Sequence, residues 1–102
     1  MSTAFPPASG GFWVLPKNGG NIFKMEMNGN PSTSIYRIND KTADRFPRGT
    51  VVTLMFEEAG TNVINSAYLK LKGGQSFTST VNSALTLMAN GDPTWTEMSR
   101  NV

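Results

Sequence analysis

The chain has 102 residues, which is the size of one domain with a modest core of its own. It contains no cysteine and no histidine, so a disulfide framework, a thiolate nucleophile and histidine acid–base chemistry are excluded. The net charge is only +2 and the nine basic residues are dispersed, which argues against nucleic-acid binding because that needs a dense basic patch.

Polar but uncharged residues are abundant, with nine Ser, eleven Thr and ten Asn against sixteen charged residues. This balance suits β-structure with many turns. No stretch approaches the ~20 apolar residues of a membrane span, and the N-terminus lacks the basic and apolar segments of a secretion signal. We therefore expect neither membrane insertion nor secretion.

Residues 1–20 carry three of the six prolines and four of the ten glycines, which disfavours a helix or a central strand. We expect a linker or extended arm here, followed by one domain over residues 21–102. The arm contains the apolar stretch FWVLP. Two interpretations stay open: this stretch docks on its own domain, or it docks on a neighbouring chain. The second would make inter-subunit contacts of Phe12, Trp13 and Leu15.

From residue 21 onward, apolar residues alternate with polar ones and turn residues interrupt the pattern, which indicates β-strands. NIFKMEM (21–27) predicts a strand with Phe23, Met25 and Met27 on one face and an Asn-Gly turn after it. SIYRI (34–38) predicts a second short strand, followed by a charged loop over 39–49. TVVTLMF (50–56) is apolar on both faces, so we expect a central strand covered on two sides.

The second half of the chain continues this pattern. NVINSAYLKLKGG (62–74) predicts a strand with Ala67, Leu69 and Leu71 on one face, and QSFTST (75–80) a short one. ALTLMA (84–89) and TWTEMS (94–99) predict a hairpin in which Trp95 and Met98 point to opposite faces.

No segment has a sustained helical period, so we expect an all-β antiparallel sandwich or jelly roll. Its predicted core contains Phe23, Met25, Val52, Leu54, Leu69, Leu71, Leu85 and Leu87.

Possible catalytic and ligand-binding motifs are weak. The KGG at 72–74 lacks the following helix that a phosphate loop needs, so a tight β-turn is expected. Glu57 and Glu58 are adjacent and point to opposite sides of a strand end, and nothing in the pattern brings Asp92 to Glu97. NGDPT and INDKTAD lack the acidic spacing of a calcium loop. We expect no enzyme activity, no metal and no cofactor.

Trp95 has two interpretations. Beside Glu97, Thr94 and Thr96, its ring could stack on a sugar whose hydroxyls bond the polar groups. The favoured alternative is a core or inter-subunit contact, because one face of the hairpin must be buried. Glu97 and Arg100, three residues apart, should lie on opposite faces of a regular strand. The turn from Asn90 to Thr94 is then the most ligand-like part of the hairpin.

The segment from Gly49 to Asn101 resembles the C-terminal region of tailed-phage tail spikes, tail fibres and neck appendages. The resemblance rests on LKLKGGQSF (69–77), LTLM (85–88) and WTEMSR (95–100). The turn ANGDPTW is longer than the short turn usual in that family.

This resemblance implies a jelly-roll, TNF-like β-sandwich assembled as a homotrimer at the end of a longer fibre. It implies a virion location outside the cell, partners in the rest of the phage tail, and contact with host-surface polysaccharide. Candidate glycan contacts are Tyr36, Arg37, Tyr68, Trp95 and Glu97. One alternative is a purely structural assembly or capsid-decoration module that binds only protein. Another is a glycan-degrading enzyme whose carboxylates meet between subunits.

Overall fold

The computed structural model describes residues 2–4, 12–13, 15, 20–26, 34–39 and 45–101. For residues 2–4 and 12–13 it describes the backbone alone. The predictions for Met27, for the Asn28-Gly29 turn and for most of the charged loop lie outside the described residues.

The described part of the chain is all-β, as predicted, apart from a 3₁₀ turn at Lys72–Gly74. The strands are β1 (Ser2–Ala4), β2 (Phe12–Trp13), β3 (Ile22–Met25), β4 (Ser34–Ile35), β5 (Arg37–Ile38), β6 (Val51–Phe56), β7 (Asn62–Val63), β8 (Leu69–Lys70), β9 (Phe77–Thr78), β10 (Ala84–Ala89) and β11 (Trp95–Asn101).

Three sheets form from these strands. The largest has the order β1-β3-β6-β10-β11-β8, and the smaller ones pair β2 with β5 and order β4-β7-β9. The prediction of an antiparallel arrangement is wrong, because five of the eight pairings between described strands are parallel. Parallel neighbours need long crossover connections, and residues 26–50 supply one between β3 and β6. Alternation within a strand carries no information on its neighbour's direction.

One apolar core joins the sheets. Leu15, Ile35, Ile38 and Val63 belong to the same buried cluster as the inward side chains of the six-stranded sheet. All eight residues predicted for the core are buried, at 6% exposure or less. This layered arrangement is compatible with a β-sandwich.

β6 is central, between β3 and β10, but it is covered on one side only. Val52, Leu54 and Phe56 are buried, whereas Val51 and Met55 are 41% and 37% exposed on the other face. The prediction of a strand covered on both sides is therefore wrong. We call the solvent side of the six-stranded sheet the outer face.

The single strand predicted over 62–74 is broken into β7 and β8. The Ser66 hydroxyl accepts the backbone N–H groups of Tyr68 and Leu69 and so forms a local turn. Leu69 is buried as predicted, but Ala67, in the turn, is exposed.

The described residues of the arm pack on their own domain. β1 extends the six-stranded sheet beside β3, and β2 pairs with β5. Leu15 is completely buried in the core, so within the single chain it presents no surface to a neighbour. The side chains of Phe12 and Trp13 lie outside the described part of the structure.

Candidate functional site

The five candidate glycan contacts divide into two groups. Tyr36 is exposed, whereas Arg37 and Tyr68, which stack on each other, are half-buried, and we call these three residues the tyrosine–arginine surface. Trp95 and Glu97 are buried, at 2% and 4% exposure.

The tyrosine–arginine surface forms where β4 ends and β5 begins. Tyr36 lies between these strands, which belong to different sheets, and is 42% exposed. The Ser66 hydroxyl donates to the Tyr36 carbonyl oxygen at 2.6 Å, and the Ile64 N–H donates to the Ile35 carbonyl at 2.8 Å. These bonds hold the turn that carries Tyr68 against the β4–β5 junction.

Arg37 stacks on Tyr68. Its Cζ atom lies 4.2 Å from the centre of the Tyr68 ring, within the range of a cation–π interaction. Tyr68 is itself fixed to β11, because its carbonyl oxygen accepts the Trp95 N–H at 2.9 Å. Aromatic ring faces, phenol hydroxyls and a guanidinium are groups that can contact the apolar faces and hydroxyls of a sugar.

Trp95 does not fit the stacking role. Its ring meets Phe46 in an edge contact with centroids 5.5 Å apart, and Phe46 in turn meets Phe23 at 6.4 Å. At 2% exposure, the Trp95 ring presents no face on which a ligand could stack. Phe46 lies in the predicted charged loop, where the only signal was a lone aromatic residue among charged neighbours.

Glu97 and Arg100 lie on the same face of β11, and the prediction of opposite faces is wrong. Leu87 pairs with Glu97 while Thr86 pairs with Ser99, so Met98 is an extra residue in a β-bulge. The bulge brings Arg100 opposite the buried Leu85, on the core side of the sheet. Trp95 and Met98 do face opposite ways, as predicted, because Met98 is 46% exposed.

The Glu97 carboxylate receives three hydrogen bonds. Arg100 donates from Nε to Oε2 at 2.9 Å and from Nη2 to Oε1 at 2.5 Å, and the Lys72 N–H donates to Oε1 at 3.1 Å. The Arg100 bonds hold the pKa of the Glu97 carboxyl below its ordinary value, against the opposing effect of burial.

Arg100 also joins β11 to the segment that follows the 3₁₀ turn. Its Nη2 donates to the Gln75 carbonyl at 2.8 Å, and its Cζ lies 4.6 Å from the Phe77 ring centre. We call Glu97, Arg100 and these contacts the β11 clamp. Both charged groups are thus committed to holding residues 72–77 in place.

The Asn90–Thr94 turn bonds mainly to itself. Asp92 Oδ1 accepts the Thr94 N–H at 2.9 Å and the Thr94 hydroxyl, which holds the pKa of the Asp92 carboxyl below its ordinary value. The Asn90 amide donates to the hydroxyls of Thr94 and Thr96, each at 3.0 Å. These bonds explain the shape of the turn without a ligand.

The KGG segment forms a 3₁₀ turn, with φ of 63° at Gly73 and 67° at Gly74, and continues into extended chain. Within the described ranges, no three acidic side chains gather as metal ligands, and no helix is long and apolar enough to cross a membrane.

Comparison of the chain with protein-family models, with curated proteins and with solved structures gave no match.

Proposed function

We propose that this chain is a non-enzymatic structural and adhesive domain of a tailed-phage virion. In this proposal it lies at the end of a trimeric tail spike, fibre or appendage, promotes trimerisation and attaches to a host-surface glycan. The domain is a jelly-roll-type sandwich, and it acts outside the cell as part of the particle.

The tyrosine–arginine surface is the observation that carries the adhesive part of the proposal. Tyr36 is an exposed aromatic residue, and the half-buried Arg37 and Tyr68 stack on each other. The turn that Ser66 anchors reduces the ordering cost of binding, because it holds the backbone of Tyr36 and of Tyr68 in place.

The sequence resemblance supports the virion assignment. The residues that carry it lie in the core or hold strands together. Leu69, Leu85, Leu87 and Trp95 are core residues, and Glu97 with Arg100 forms the β11 clamp. The resembling motifs therefore account for a fold, and the proposed glycan contacts Tyr36, Arg37 and Tyr68 lie outside them.

The outer face favours the second candidate function, a module that serves only assembly. Ile22, Val51, Met55 and Met98 expose 37–47% of their surface on this side of the sheet. Between them, the hydroxyls of Thr53 and Thr86 lie 3.2 Å apart. A face of this composition suits contact with protein rather than with sugar.

Glycan-array and host-cell binding distinguish the two functions. If the domain is adhesive, Tyr36→Ala and Tyr68→Ala each weaken binding by about tenfold or more, equivalent to ~1.4 kcal/mol. Val81→Ala is the control, because Val81 is 61% exposed and lies just before the first residue of β10, away from the tyrosine–arginine surface. Binding that survives both tyrosine substitutions rules out this surface, and a trimer with no glycan binding favours assembly alone.

A further inference from the structure

The structure contains a site that binds one residue of the arm, Leu15, and we call it the Asn39 slot. Leu15 fills it with a side chain that is completely buried. The Leu15 N–H donates to Asn39 Oδ1 at 2.6 Å, and Asn39 Nδ2 donates to the Leu15 carbonyl at 3.2 Å. The amide thus makes both backbone bonds that a neighbouring strand would make.

Asn39, which makes both of these bonds, is buried inside the domain. It is 2% exposed and has a left-handed φ of 51°, a conformation that asparagine tolerates better than most residues. The Asn39 side-chain amide binds the backbone of Leu15, and the core takes up the Leu15 side chain. This is the chemistry of strand addition, with an apolar residue as the anchor.

Apart from the buried Leu15, the described strands of the arm pair with the domain at sheet edges. β1 lies at the end of the six-stranded sheet and makes three residue pairs with β3, and β2 makes two with β5. Withdrawing residues 1–15 would therefore break no pairing between the inner strands β3, β6, β10 and β11.

The connection between the slot and the domain is short and glycine-rich. Five residues separate Leu15 from Asn21, and the last two are Gly19 and Gly20. Gly20 has a φ of +89° and no neighbouring atom within 4 Å of a Cβ at its position. Fully extended, this connection reaches roughly 20 Å, which limits the arm to its own slot or that of a touching copy.

We propose that the N-terminal arm is exchanged between neighbouring copies, so that Leu15 of one chain occupies the Asn39 slot of the next. The inference rests on the proposed trimer. The contacts are the same within one chain and between chains, and exchange is a low-cost route to a closed oligomer. A short linker raises the effective concentration of any slot that it can span, in its own chain or in a touching copy. The arm has a single charged side chain, Lys17, so charge repulsion between arms is small.

A disulfide between β1 and β3 tests this proposal in the full chain. Thr3 pairs with Lys24, and the chain has no native cysteine, so Thr3→Cys with Lys24→Cys introduces the only two thiols. After mild oxidation in dilute solution, exchange predicts dimers and trimers on a non-reducing denaturing gel. The matched control is Lys24→Cys with Met55→Cys, a parallel pair inside the domain, which must give linked monomers.

Light scattering of the reduced proteins separates the two proposals. Trimers that yield covalent oligomers in the Thr3 variant, with monomers in the control, support exchange. Trimers that yield only linked monomers overturn exchange and leave the proposed trimer intact. Monomers at all concentrations, with intrachain disulfides, overturn both. Circular dichroism that matches the unsubstituted chain verifies that each variant folds.

Discussion

Glu97 and Arg100 are bound to each other on the core side of β11, although they are three residues apart in a strand. The extra residue at Met98 produces this geometry. Because the bulge adds one residue to β11, Glu97 and Arg100 point to the same side of the sheet, as residues two apart do in a regular strand. The pair is the centre of the β11 clamp.

Removing the Glu97 charge should destabilise the domain. Glu97→Gln leaves Arg100 without its bidentate partner and weakens the bond from the Lys72 N–H, so we expect a loss of about 2–4 kcal/mol. Urea unfolding followed by tryptophan fluorescence measures it. Glu58→Gln, at an exposed carboxylate, is the control and should change stability by less than about 0.5 kcal/mol. Equal effects of the two substitutions would contradict the clamp.

The stabilisation from Glu97 should depend on pH. The pKa of its carboxyl is lowered in the folded state from an ordinary value of 4.5. A group of this kind contributes stability that is complete above its unfolded pKa and is lost as pH falls through its folded pKa. The stability difference between the native chain and Glu97→Gln should therefore be constant near neutrality and shrink in acid. Urea titrations from about pH 7 to about pH 3 measure it, and parallel curves would refute it.

Truncation of Trp95 should destabilise the domain far more than truncation of Met98. Trp95→Ala removes a ring from the row with Phe46 and Phe23, so a loss of about 3–5 kcal/mol is expected. Met98→Ala, on the exposed side of the same strand, should cost within about 0.5 kcal/mol. Thermal unfolding of both variants makes the comparison. A mild Trp95→Ala effect would mean that the ring is not a core element.

Gly91, in the turn of the last hairpin, should be harder to replace than Gly49. Its φ is +85°, and a Cβ there would lie 3.0 Å from Arg48 Cβ. Gly49→Ala is the matched control, because Gly49 has a φ of +90° and open space around it. Both variants share a backbone cost of about 1 kcal/mol, and Gly91→Ala should cost more through the close contact. Equal losses in chemical denaturation would show that Arg48 yields without cost.

The alternation of side chains determined the strand-forming segments and their inward faces. Phe23, Val52, Leu69 and Leu85 are buried because successive residues of a strand point to opposite sides, which is a property of neighbouring residues alone. This pattern also separated Trp95 from Met98 correctly.

Tertiary structure alone decided which strands are neighbours and what their ends contact. Four features depend on contacts between strands or sheets. They are the parallel pairings, the bulge at Met98, the stacking of Arg37 on Tyr68 and the hydrogen bonds between Leu15 and Asn39. Such contacts depend on the path of the chain between the strands, and alternation within one strand is the same whichever neighbour it has. The sequence therefore determined most of the buried apolar positions, and the tertiary structure decided which polar groups those buried faces bring together.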